Sequence, residues 1–266
     1  SHGRLELGTG RSATWTELGG FGVDPDTTKK TWDEITRVLP KMWTQERFGY
    51  VGECFSMPER AIIPKPLQKP HPPMWVAVTS PGTELDAADR GMGSLGLTFG
   101  GFAEQEKKIA EYRRRIKYCD PVGEVVNEAV NTVNFLFCHE DNDYGARTGI
   151  RVSGTFNYLA EQLLAARQAY PSRSYPNLGL LPALRRESTS PAEGQIPEGL
   201  AVGDPDRIIQ VIKKWESVGV DRINFLLNAL ETVPQEEVLA SLRLFGKEVM
   251  PHFAEKPAAA SAAGGA

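Results

Sequence analysis

The sequence predicts an α/β fold, a parallel sheet with helices packed outside it. Three observations predict it. Short apolar runs alternate with longer segments of helical spacing, about five times along 266 residues. The runs themselves, such as MWVAV at 74–78 and RINFLL at 222–227, have strand length rather than helix length. Helix start and stop residues, such as Asp204-Pro205 and Gly91, punctuate the alternation. A closed barrel of this kind takes eight strand–helix units. About five are visible, so the expectation is either an open sheet or a (β/α)8 TIM barrel that is incomplete at its beginning.

Residues 5–9 read as a buried strand that runs into glycines at 8 and 10. Residues 14–26 are turn-rich, with glycines at 19, 20 and 22 and Asp24-Pro25-Asp26. A helix follows from about Thr27, with Trp32, Ile35 and Val38 at helical spacing. FGYVGECFSM and ERAIIP suggest a short hairpin. KPLQKPHPP, with prolines at 66, 70, 72 and 73, is stiff and extended, and cannot be helix or central strand. MWVAV is the next strand. TSPGTELDAADRG then opens a helix, with Ser80 at the N-cap, Pro81 at the first helical position and Gly91 at the stop. SLGLTF is a strand, 102–119 a helix, NTVNFLFC (131–138) a strand and 153–170 a helix. The stretch 171–203, rich in Pro, Ser and Gly, reads as a long insertion. A helix at 205–218, the strand RINFLL and a helix at 234–250 complete the chain. The expected organisation is one barrel domain over 1–253 with a low-complexity, disordered tail, 254–266.

Composition bounds the function. The formal net charge is −4, from 30 basic and 34 acidic residues, which favours neither nucleic acid nor an anionic membrane as partner. The basic cluster at 107–117 is interleaved with Ile109, Tyr112 and Ile116, which share one helical face, so the charges read as its wet side. Cysteines 54, 119 and 138 are odd in number and lack metal-site spacing, as in a reduced cytoplasmic protein. No apolar run approaches a membrane span of about 20 residues, and the beginning does not read as a signal peptide.

The turn at LELGTGRSA raises a phosphate question, because Gly8-x-Gly10-x-x-Ala13 matches the loose dinucleotide fingerprint. That motif needs a helix directly after the glycines and an acid ending a second strand roughly 20 residues on. Here TWTELGGFGVDPD has too many helix breakers, and Asp24, Asp26 and Asp33 lie in a loop or a helix. The alternative is a phosphate held from two strand ends. Arg11 can give a forked, charged contact, while Ser80 and Thr83 sit around a helix start. Parallel barrel strands end on one face, so the two places can converge. Against this, Ser80 can serve only as a cap, and Arg11 can pair with Glu17.

Several segments together resemble one family. GRLELGTGRSATWTELGGFGV looks like the fourth strand and following loop of the bacterial-luciferase-like flavin monooxygenases. HPPMWVAVTSPGTELDAADRG looks like their fifth strand and helix, and GDPDRIIQVIKKWESVGVDRINFLLN with EEVLASLRLFGKEVMPHF like their last strand–helix units. The resemblance implies a (β/α)8 barrel that uses reduced FMN supplied by a flavin reductase, or in some branches the deazaflavin F420. It implies flavin-phosphate contacts at Arg11, Ser80 and Thr83, with the backbone of Ala13 beside them. Thr79 stands where the luciferases carry an acid, and Gly10 where they carry a reactive cysteine, which argues against luciferase chemistry itself.

The family's first three strand–helix units, with the histidines that help catalysis in many members, would precede Ser1. Of the histidines at 2, 71, 139 and 252, only His139 ends a strand, where barrel sites gather; beside the acidic Glu-Asp-Asn-Asp it reads more simply as a surface residue. The expectation is therefore the C-terminal part of a longer chain, poorly soluble or paired with another chain as a homo- or hetero-dimer. Three functions follow for test: a flavin-dependent oxidoreductase acting on a small molecule, a non-catalytic partner subunit, and an open-sheet NAD enzyme. Neither composition nor spacing names the substrate.

Overall fold

The computed structural model describes residues 2–12, 14–80, 82–97, 101–165, 172–173 and 196–254. Strand β1 (Leu7–Thr9) is followed by helix α1 (Trp15–Gly20), a 3₁₀ turn (Pro25–Thr27) and helix α2 (Thr28–Thr44). A hairpin, β2 (Arg47–Val51) with β3 (Ser56–Ala61), precedes β4 (Met74–Val78), α3 (Thr83–Asp89), β5 (Gly93–Leu97) and α4 (Phe102–Ile116). Then come β6 (Val130–Cys138), α5 (Asn142–Ala165), β7 (Ala201–Gly203), α6 (Pro205–Ser217), β8 (Arg222–Leu226) and α7 (Gln235–Leu244).

The main sheet has six strands, in order β1-β4-β5-β6-β7, with β8 also on β6, and every pairing is parallel. Strand β6 is long enough for two partners: Asn131–Phe135 pair with β8 and Leu136–Cys138 with β7. One face of the sheet carries Met74, Val76, Val130, Leu136 and Cys138, and these pack into the main core. The helices supply its other side through apolar residues three, four or seven apart: Phe102, Ile109, Tyr112 and Ile116 of α4, and Ile208, Val211 and Trp215 of α6. The basic cluster of α4 is thus its wet side, as its spacing predicts.

The opposite face is concave. Arg222, at the start of β8, bonds the carboxylate of Glu6, just before β1, at 2.6 and 2.7 Å. The two strands are four sheet positions apart. In a flat sheet, steps of about 4.8 Å would separate them by ~19 Å, beyond the reach of a Glu and an Arg together. The strands therefore curl into a barrel-like arc. The Trp75 indole donates to Glu6 Oε2 at 2.8 Å inside it, and the Arg222 guanidinium lies 5.4 Å from the Trp75 ring.

Several boundaries differ from the sequence reading for physical reasons. The turn-rich stretch after β1 contains a helix, α1, because Thr14 caps it and its glycines fall at the C-terminal end. Ser80 is not the cap of α3: that position is Gly82, at φ 84°, and Ser80 instead offers its carbonyl to Thr83 N–H at 3.2 Å. Helix α5 starts at Asn142 rather than 153, behind Asp141, whose carboxylate accepts from the N–H groups of Asp143 and Tyr144. Its glycines are contact points: a Cβ on Gly149 would lie 2.2 Å from Val202 Cγ1. The expected insertion ends in β7, whose three residues carry too little pattern to announce a strand. Residues 174–195 of that insertion and 255–266 of the tail lie outside the described residues. The last helix passes from α7 into a π turn at Phe245–Val249.

Candidate functional site

Strands β1 and β4 run side by side, with Gly8 opposite Trp75 and Thr9 opposite Val76. The next pair continues the register, since a Cβ on Gly10 would lie 3.5 Å from Ala77 Cβ. Arg11 and Thr79 therefore follow directly on neighbouring strand ends, at the C-terminal edge of the arc. Gly8 faces the concave side, where a Cβ would touch Leu95 at 3.7 Å. Glycines at 8 and 10 keep that side free of bulk next to the turn.

The turn is built around Arg11. Before it, the Thr9 hydroxyl donates to the Trp75 carbonyl at 2.8 Å and accepts from the Trp32 indole N–H at 3.1 Å. After it, Ser12 takes a left-handed conformation, φ 61°, which costs a non-glycine residue on the order of 1 kcal/mol. Local bonds hold that conformation: the Ser12 hydroxyl donates to the Glu17 carboxylate and accepts from Thr14 N–H at 3.3 Å. Thr14 also donates to Glu17 Oε2 at 3.3 Å. Glu17, which the sequence offered as a partner for Arg11, is thus engaged by two hydroxyls. Arg11 is half-buried, with Nη1 shielded from solvent. Ala13 lies outside the described residues.

On the β4 side, Thr79 and Ser80 are half-buried and Thr83, the first residue of α3, is buried. Helix α3 has seven residues, and Glu84 and Asp86 occupy its first turn. Those carboxylates offset the positive end of so short a helix. Asp86 is partly balanced by Lys29 at 3.0 Å and Arg90 at 3.5 Å. This edge thus carries the Arg11 guanidinium and the hydroxyls of Ser80 and Thr83.

His139 has a separate environment. It follows the part of β6 that pairs with β7, and its N–H bonds the Gly203 carbonyl at 2.9 Å. Its Nδ1 accepts from Asp141 N–H at 2.9 Å, and its ring lies 4.6 Å from that of Tyr144. The Tyr144 hydroxyl donates to Glu237 Oε2 at 2.7 Å, and this bond, with burial, raises the Tyr144 pKa. A cleft of about 290 Å³ is lined here by Cys138, His139, Tyr144, Glu237 and Ser241 among others, none from the turns after β1 or β4. Arg11, Ser80 and Thr83 do not line this cleft. His71 is structural: buried, it donates from Nδ1 to the Pro72 carbonyl at 2.9 Å and accepts at Nε2 from Glu124 N–H at 3.1 Å. Among the described residues, no group of three or more His, Cys, Asp or Glu gathers to hold a metal, and no helix is long and apolar enough to cross a membrane.

Sequence reasoning missed the roles of Thr9, Ser12 and Trp32 at the turn, and gave Glu17 a different partner. A hydroxyl between two glycines at a strand end was the available signal for Thr9. Nothing local signals Trp32, which is 23 residues away.

Comparison with known proteins identifies the family of the chain. A flavin-dependent trigonelline monooxygenase, oxygenase component, from Acinetobacter baylyi is 22% identical over 262 residues, which cover 96% of this chain and 69% of that protein. The crystal structure of the monooxygenase RslO1 from Streptomyces bottropensis superposes with a TM-score of 0.71 at 21% identity, over 96% of this chain and 70% of that one. The oxygenating constituent of 3,6-diketocamphane monooxygenase from Pseudomonas putida, in complex with FMN, gives 0.63 at 15% identity, over 94% and 71%. At these identities the two structures establish the fold, the luciferase-like α/β barrel architecture. The luciferase-like monooxygenase family matches residues 1–222, from ahead of β1 to the start of β8, and the chain belongs to that family.

Proposed function

We propose that the chain is a flavin-dependent oxidoreductase, specifically an FMN-dependent monooxygenase that uses reduced flavin and molecular oxygen on a small organic substrate. The observation that carries the reading is Arg11 at the junction of two parallel strand ends, beside the loop that bears Ser80 and Thr83. The donor set fits a phosphate monoester: a guanidinium supplies charge and two parallel N–H donors, and the hydroxyls supply neutral donors. Arg11, Ser80 and Thr83 would hold the phosphate, with Gly10, Ala13 and Thr79 next to it. Bound reduced FMN would supply the electrons for reaction with oxygen.

The chain's own contribution is binding and orientation. Arg11 balances the phosphate charge, and the side-chain-free positions 8 and 10 admit a flat group on the concave side. The reading includes a cytoplasmic setting, a separate reductase that supplies the reduced flavin, and a dimeric state. Fluorescence titration with FMN tests it. Charge-assisted hydrogen bonds are worth about 1.5–3 kcal/mol, so Arg11→Ala is expected to weaken FMN by roughly 10- to 100-fold. Unchanged affinity in Arg11→Ala, or no saturable binding to the wild type, would overturn the assignment. Tighter binding of F420 than of FMN would turn the reading to an F420-dependent hydride-transfer enzyme.

A further inference from the structure

We infer that Thr9 is the positioning residue for Arg11, acting through a three-element bond chain from Trp32 to the Trp75 carbonyl. The inference rests on the reading of Arg11 as the phosphate-holding group. The Thr9 hydroxyl uses both its capacities: it donates to the Trp75 carbonyl of β4 at 2.8 Å and accepts from the Trp32 indole of α2 at 3.1 Å. A single hydroxyl thus joins β1, β4 and α2 two residues before Arg11. Strand β1 has three residues and only β4 as its neighbour in the sheet among the described residues.

Trp32 is itself immobilised. It is buried, and the Arg90 guanidinium lies 4.9 Å from its ring while bonding Asp33 at 2.6 Å. The hydroxyl is therefore fixed to a packed helix rather than to a loop. Beyond Arg11, the left-handed Ser12 and its bonds to Thr14 and Glu17 fix the departing chain. Arg11 is held on both sides, and the Thr9 side carries the connection to the core. Loss of that hydroxyl leaves the end of β1 free to shift, and a shift of a fraction of an ångström spoils a forked contact.

The test is a double-mutant cycle read by FMN affinity, with circular dichroism and melting to verify the fold of each variant. Thr9→Val keeps the shape and removes the hydroxyl; Thr9→Ser restores it. Thr9→Val is expected to weaken FMN about fivefold, the effect of one neutral hydrogen bond, while Thr9→Ser stays within about twofold of wild type. In an Arg11→Ala background, Thr9→Val is expected to cause no further loss. Should Thr9→Val fail to fold, Trp32→Phe carries the same cycle, because it removes the indole donor and keeps an aromatic ring in the core, its smaller ring checked by the melting of the variant. Wild-type affinity in Thr9→Val, or an undiminished loss in the Arg11→Ala background, would overturn the inference while the phosphate reading stands. If Arg11→Ala alone leaves affinity unchanged, the phosphate reading falls and this inference with it.

Discussion

Cys138 shows how burial decides a residue's chemistry. It is 1% exposed at the end of β6, and burial, with a smaller push from Asp204, raises its thiol to about 12. At pH 8 about one thiol in ten thousand is then ionised, so alkylation is suppressed by ionisation and by access together. Iodoacetamide is expected to label Cys138 only after denaturation, and peptide mass spectrometry would detect the reverse, labelling of the native chain. The sign of the linked stability is fixed. The unfolded thiol, near 9, loses its proton first. The contribution is therefore full below pH 9 and declines as pH rises toward 12. The depth of this cysteine was not legible in the sequence. The same limit applied to histidine: the sequence placed His139 at a strand end and His71 in a proline-rich segment, but not that one is half-buried beside a cleft and the other locked between two backbone groups.

At the scale of elements, local signals worked where the cap is in the sequence. Asp204 accepts from Arg207 N–H at 2.8 Å with Pro205 at the first position, so α6 begins where it was expected. Asp204→Ala is expected to cost about 1 kcal/mol, a cap's usual worth, and to lower Tm by roughly 2–4 °C in a chain of this size. A thermal melt indistinguishable from wild type would contradict it. The α3 start shows the converse. Ser80-Pro81 is as good a signal on paper, yet Gly82 at φ 84° takes the cap, because the loop after β4 turns once more before the helix. Helix α5 contains glycines at 145 and 149. They allow the helix to lie on β7, where a Cβ at 145 would sit 2.7 Å from the Gly203 carbonyl oxygen.

At the scale of the molecule, the sheet is an arc with two ends. Strand β1 has only β4 beside it and β8 only β6, among the described residues. Such edges present unpaired backbone groups and invite another chain. Sedimentation velocity at micromolar concentration is expected to show a dimer or a larger species; a monomer that melts cooperatively would count against it. The curl itself is recorded by the Glu6–Arg222 pair, residues 216 apart in sequence.

What the sequence determined by itself was the succession of elements and the face each helix buries. Those follow from apolar spacing and capping chemistry within a few residues. It also placed Arg11 at the end of a strand, because the glycines around it are local. Only the tertiary structure decided that β1 lies against β4, that Trp32 reaches Thr9, and that His139 lines a cleft with Tyr144 and Glu237. Those outcomes depend on strand order, curl and side-chain contacts between distant segments, and no short stretch of chain carries the energy that selects them.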